Sequence, residues 1–251
     1  MDIITSDKND LIKKIRKLTT SRGRALSSSF IIEGSKFVAE AGSEWEIIYT
    51  IVSETYPSNY NAKNKIVVSD KVFRGLSDTV NPQGILAVVK KREFSACQVL
   101  GGKNPLVFVL EDINDPGNLG TILRNCHGLG ATGIVLTGNT TDIYSQKTVR
   151  ASAGSIFHIP FVHINIEEIA AKFKKHNIPL YATSPMGKAV LHRLDLRKPA
   201  AFMLGSEHHG LSQKAMTLAN ASVRIPVMSE SLNVSVACAI FAYEVWRQRN
   251  V

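Results

Sequence analysis

The sequence predicts an α/β protein in two parts, a small α/β domain followed by a larger one built on a largely parallel sheet. Three observations predict it. Strand-like and helical segments alternate from residue 106 to residue 248, the pattern of a parallel sheet covered by helices. Four short apolar runs interleaved with helical stretches occupy residues 29 to 95. Between the two, 91-KREFSACQVLGGKNP-105 carries paired glycines and a proline, the composition of a connector. The expected division is residues 1–95, a linker at 96–103, and residues 104–251, and a chain of 251 residues has room for both cores.

Residues 8 to 20 read as a basic helix with Leu11, Ile12, Ile15 and Leu18 on one face, after an Asx-type start at Ser6 or Asp7. The continuation 21-SRGRALSSS-29 sets Arg22 and Arg24 among small polar residues. That composition fits a flexible phosphate-contacting loop or a solvated linker. FIIEG, EIIYTIV, KIVVS and GILAVV then read as strands, with helices around 34 to 42 and 70 to 76. In the second part LVFVLEDI, GIVLTG, FHIPFV, PLYATS, AAFMLG and VRIPV read as strands, and helices are expected near 119 to 129, 145 to 153, 166 to 176, 212 to 219 and 231 to 248.

Thirty Lys+Arg against 21 Asp+Glu give a formal charge of +9, a surplus that raises encounter rates with polyanions and makes nucleic acid a candidate partner. Cys97, Cys126 and Cys238 form no Cys-x-x-Cys pair, so neither a zinc knuckle nor a disulfide framework is expected, and a reducing cytoplasm fits best. Cys126 and Cys238 lie in apolar helical patterns and read as small buried hydrophobes. The opening MDIITSDKNDLIKKIRK places charges where a signal peptide needs apolar residues. The longest apolar run, Val236 to Tyr243, is too short to span a bilayer, so no membrane association is expected.

Three segments set polar or glycine-rich loops against apolar runs: 115-DPGNLGTILRN-125, 204-LGSEHHGLS-212 and 225-IPVMSESLNVSVA-237. Each begins at the carboxyl end of a predicted strand, where parallel sheets hold their ligands. In the first, Asp115-Pro116-Gly117-Asn118 turns into a helix, Asn118 falls in the N-cap region, and Arg124 follows about two turns later on the same broad face. A guanidinium there can grip an RNA phosphate in bidentate fashion, or pair with Asp112 or Glu111. In the second, Gly205 permits close backbone approach and Glu207 sets a carboxylate at the mouth of the site. His208 and His209 read as solvent-exposed or RNA-facing, because no set of three metal ligands assembles around them. In the third, Ser231 and Asn233 open a helix, where capping explains one of them and positioning of an adenosyl group or ribose hydroxyl explains two. The run that follows is apolar on nearly every face, for which homodimerisation is the economical explanation. No Gly-x-Gly-x-x-Gly follows a strand and no Gly-x-x-x-x-Gly-Lys-[Ser/Thr] loop occurs.

Together the three segments resemble the signature motifs of the SpoU (TrmH-type) RNA 2′-O-ribose methyltransferases of the SPOUT superfamily. In the first part, 22-RGRALSSSFIIEGSKFVAEA-41 resembles the RNA substrate-binding domain that precedes many of their catalytic domains. The resemblance implies a deep trefoil knot in the C-terminal domain, S-adenosylmethionine as cofactor, a homodimer formed through that domain, and methylation of an RNA ribose, ribosomal RNA before tRNA. By the motifs it places Asn118, Arg124, Glu207, Ser231 and Asn233 in the catalytic pocket, and Gly205, Ile225 and Leu232 around the cofactor. A non-catalytic RNA-binding or ribosome-assembly factor of the same fold is the alternative. One departure from the family pattern is the short Met228-Ser229-Glu230 loop between Val227 and Ser231, which lacks the usual glycine.

Overall fold

A computed structural model describes residues 3–57, 59–62, 64–207 and 209–251. The chain forms two compact units, Met1–Arg92 with Asp142–Phe157, and Glu93–Thr141 with His158–Val251. Elements are numbered in chain order.

The first unit holds α1 (Asp10–Lys17), α2 (Ser21–Ser27), β1 (Ser29–Glu33), α3 (Ser35–Glu44), β2 (Ile47–Ser53), β3 (Lys65–Val68), α4 (Asp70–Arg74), β4 (Ile85–Lys90) and α7 (Gln146–Ala151). Its sheet runs β1-β4-β2-β3, with only β2 and β3 parallel. Ile12, Ile15 and Leu18 of the first helix pack with Ile31, Phe73, Leu86 and Val88, as the apolar spacing predicts. The helix starts later than expected. Asn9 is its N-cap, accepting from the Leu11 amide, while Asp7 is taken by Arg16 at 2.6 Å.

Residues 21–29 depart from expectation. They begin with α2, capped by the Thr20 side chain on Gly23 N, and Arg24 turns inward to 4% exposure. Its guanidinium pairs with Asp142 at 2.7 Å and donates to the carbonyls of Leu18 and Thr19. Arg24 is therefore a buried structural cation, while Arg22 stays exposed. The pair is one of several contacts that join residues 142–157, expected in the second domain, to the first unit: α7 packs on β1, and Trp45 adds a bond from Nε1 to the Phe157 carbonyl and an edge contact with its ring. Arg24→Met should destabilise the protein by about 3 kcal/mol, since it strands a carboxylate and two carbonyls. The urea midpoint measures this.

The second unit holds α5 (Ala96–Val99), β5 (Leu106–Glu111), α6 (Pro116–Gly128), β6 (Gly133–Thr137), β7 (Phe161–His163), α8 (Ile166–Lys175), β8 (Leu180–Thr183), β9 (Ala189–Val190), β10 (Ala200–Leu204), α9 (Gln213–Leu218), β11 (Ala221–Arg224) and α10 (Val234–Asn250). Residues 96–103, read as a linker, contain α5, which a Ser95/Gln98 capping box starts and buried Val99 anchors. All strand pairs are parallel, in the order β7-β6-β5-β10-β8-β11-β9. Strands β5 and β10 are buried along their whole length, as the unbroken runs LVFVLE and AAFML require. Val107, Val109, Ala201 and Met203 meet Ile169 and Phe173 of α8 on one face. On the other, Phe202 stacks with Phe108 and Tyr181 and touches Phe241 of α10 at 4.9 Å.

FHIPFV is less of a strand than it reads: Ser155–Phe157 form a 3-10 turn and pairing starts only at Phe161, after Pro160, which has no amide to donate. The last helix begins at Val234 rather than at Ser231. Among the described residues no helix is long and apolar enough to cross a membrane.

Candidate active site

Chain order reverses between β5 and β10, and their register pairs Leu110 with Leu204. The loops leaving those two strands therefore start side by side at the switch point of the sheet, where open α/β folds bind ligands. The loops after β8 and β11 open on the same edge. Two cavities result. The larger, 430 Å³, is lined by Thr183–Pro185, Gly205–Glu207, Ile225 and Ser231–Val234 among others. The smaller, 290 Å³, is lined by Ile113, Asn114, Asp115, Asn118, Ser206, Glu207 and Val234. Ser206, Glu207 and Val234 belong to both walls.

Around Glu207 on the shared wall, Asn118 from the smaller cavity and Asn233 from the larger close a hydrogen-bonded triangle with it. Asn118 Nδ2 donates to Glu207 Oε1 at 2.6 Å, Asn233 Nδ2 donates to the same oxygen at 2.7 Å, and Asn233 Nδ2 also reaches Asn118 Oδ1 at 3.1 Å. Each partner is placed by its backbone. Asp115, rather than Asn118, is the N-cap of α6: its carboxylate accepts from Asn118 N at 2.8 Å, Pro116 occupies the first turn, and the Asn118 side chain is free to face Glu207. Asn233 is the N-cap of α10, its Oδ1 accepting from the amides of Ser235 and Val236. Glu207 sits in a turn closed by Gly210 N donating to Ser206 O at 2.8 Å and His209 N donating to Ser206 Oγ. Gly210 takes φ +65°, the left-handed region that favours glycine.

Gly205 lines the larger cavity, as expected of a residue beside a ligand, and meets a second need as well. A Cβ there would collide with the backbone of Gly210 and Leu211. The missing side chain lets the loop close on itself. Gly205→Ala should cost about 1–3 kcal/mol by overpacking and shift the Glu207 turn. Thermal unfolding with and without cofactor separates the two effects.

The remaining predicted residues divide. Ile225, Leu232 and Ser231 line the larger cavity, with no bond from the Ser231 hydroxyl to the triangle among the described residues. Arg124 is not brought to the triangle. Six residues beyond Asn118 on an α-helix it lies about 120° round the axis rather than on the same face. It is exposed, and no hydrogen bond or ion pair joins it to a described residue. Its proposed acidic partners are engaged elsewhere, Glu111 with the amide and hydroxyl of Ser212 and Asp112 with the amide of Asn139. His209 is exposed; His208 lies outside the described residues. Sequence reasoning missed Ser206 and the Thr183–Pro185 loop. The position of that loop after β8, at the ligand edge of a parallel sheet, was the available signal.

The residues present fit S-adenosylmethionine. The cavity lies within the usual range for ligand sites. Its wall offers apolar Ile225, Leu232 and Phe241 beside a carboxylate that suits a sulfonium cation.

A cofactor-sized cavity and a carboxylate–amide cluster at the switch point make this a ligand-binding α/β domain of the open parallel-sheet class. Comparison with known proteins gives the family. The SpoU rRNA Methylase family matches residues 105–243, and the MRM3-like substrate binding domain matches residues 9–87. The 23S rRNA (guanosine(2553)-2'-O)-methyltransferase RlmP of Bacillus subtilis is 30% identical over 98% of this chain and 99% of its own. The crystal structure of an RNA 2'-O ribose methyltransferase superposes over 100% of both chains with a TM-score of 0.86 and 32% identity. That of an AdoMet-bound rRNA methyltransferase from Sinorhizobium meliloti covers 98% of this chain and 97% of its own, with a TM-score of 0.88 and 31% identity. The chain belongs to the SpoU rRNA methylase family.

Proposed function

We propose that this S-adenosylmethionine-dependent enzyme methylates a ribose 2′-hydroxyl of ribosomal RNA, with the cofactor in the 430 Å³ cavity and the acceptor nucleotide in the 290 Å³ cavity. The observation that carries the reading is Glu207, held by two amides on the wall common to both. When bound, S-adenosylmethionine supplies an electrophilic methyl group. The protein supplies alignment and proton handling. Asn118 and Asn233 saturate Glu207 Oε1, and no described residue donates to Oε2. Oε2 accepts the hydrogen bond of the acceptor hydroxyl, orients its lone pair across the shared wall, and takes up its proton. Ile225 and Leu232 hold the cofactor through their backbone and side chains, and the Ser231 hydroxyl lies at the same cavity. Arg124, exposed and unpaired among the described residues, grips an RNA phosphate through its planar fork of donors.

The N-terminal unit recruits the RNA, a role its match to a substrate-binding domain supports. We place a homodimer contact on the recess of α6 and α10 lined by Thr121, Leu129, Val236, Ile240 and Tyr243, where Val236 is 47% and Tyr243 52% exposed. A trefoil knot in this unit is supported by the family match over residues 105–243. Free thiols at Cys97, Cys126 and Cys238 support a cytoplasmic location. Mapping 2′-O-methyl groups on ribosomal RNA from cells with and without the protein tests the reading. One ribose methylated only when the protein is present is expected, and identical maps would refute it.

A further inference from the structure

We propose that Ser235 is a positioning residue for methyl transfer, fixing which end of the Asn233 amide faces Glu207. The inference rests on the proposed role of the triangle. An Asn side chain has an acceptor oxygen and a donor NH₂, nearly equal in shape and opposite in hydrogen bonding. Only one orientation lets Asn233 donate to Glu207 Oε1 and Asn118 Oδ1. A flipped amide sets its oxygen against the carboxylate. The orientation is selected at the other end, where Asn233 Oδ1 accepts from Ser235 Oγ at 2.6 Å, Ser235 N at 2.9 Å and Val236 N at 3.4 Å. The hydroxyl makes the shortest of the three bonds.

Two further observations make Ser235 more than an ordinary cap partner. It is only 7% exposed, so little water is at hand to replace the bond, and Asn233 Oδ1 is the one acceptor its hydroxyl meets among the described residues. Its carbonyl accepts from Asn125 Nδ2 of α6 at 2.9 Å. Ser235 thus ties the helix that presents Asn118 to the helix that presents Asn233.

The test is a double-mutant cycle on the full chain, with kcat on ribosomal RNA, the dissociation constant of S-adenosylmethionine and Tm measured for Ser235→Ala, Asn233→Ala and the double variant. Ser235→Ala should lower kcat about tenfold, the effect of one lost hydrogen bond in the transition state, with cofactor affinity changed less than about threefold. In the Asn233→Ala background the same change should have no further effect on kcat, because the residue it acts through is gone. Ser235→Thr, which keeps the hydroxyl, should recover most of the turnover. An equal drop in kcat from Ser235→Ala in both backgrounds would overturn the proposal, and so would wild-type turnover in Ser235→Ala while Asn233→Ala is impaired. Full activity of Asn233→Ala would instead overturn the reading of the triangle, and this inference with it.

Discussion

Replacing Glu207 with Gln should lower turnover by about 10²-fold, the lower range for loss of the proposed general base, and should shift S-adenosylmethionine affinity by less than about threefold. The asymmetry follows from the two oxygens. Oε1 accepts from Asn118 at 2.6 Å and Asn233 at 2.7 Å, whereas Oε2 faces no donor among the described residues. A glutamine can satisfy the two amides only by turning its own oxygen to them, which leaves an NH₂ where the acceptor hydroxyl needs a proton acceptor. If the amide turns the other way, NH₂ meets NH₂ and the triangle opens. Either arrangement damages the chemical step, while the apolar cofactor wall of Ile225, Leu232 and Phe241 stays intact. Single-turnover kinetics with equilibrium cofactor binding measures both quantities. Equal losses in the two would make Glu207 a binding residue.

Arg124→Ala should lower kcat/KM on RNA by about 10²-fold, and Arg124→Lys should fall within about threefold of it, because a point charge does not replace a planar bidentate fork. The structure sharpens this expectation. Arg124 is exposed and does not touch the triangle, so the loss should appear as weaker RNA engagement with unchanged cofactor affinity. The slope of log affinity against log salt should fall by roughly one when the single phosphate contact is removed. Near-normal turnover in the lysine variant would show that charge alone suffices.

Most strands and helices of the larger unit were legible in the sequence, because a parallel sheet buried on both faces writes itself as unbroken runs such as LVFVLE and AAFML, whereas the two-residue β9 was not expected. The motifs were legible for a related reason: Asn118, Glu207 and Asn233 each follow a strand that ends at the same sheet edge. What the sequence could not carry was direction. Asn118 and Arg124 look like one constellation in a line of letters, but a spacing of six turns them apart on α6. Gly205 reads as a ligand contact and lines the larger cavity, but that it also makes room for the backbone of Gly210 is known only once the turn is closed. Arg24 reads as part of a phosphate-contacting loop or a solvated linker until Asp142, distant in sequence, is found beside it at 2.7 Å. Residues 142–157 join the first unit through long-range contacts of this kind, and no local composition signal marks a boundary there.

The decisive measurement is transfer of labelled methyl from S-adenosylmethionine to separated ribosomal RNA and tRNA pools, with Glu207→Gln and Arg124→Ala alongside the unaltered protein. Label is expected on ribosomal RNA, resistant to alkali at a single 2′-O-methylated linkage and strongly reduced in both variants. Label confined to tRNA would contradict the substrate assignment. No label on either pool, from a folded protein that binds both RNA and cofactor, would contradict the enzyme reading and leave an RNA-binding factor of the same fold.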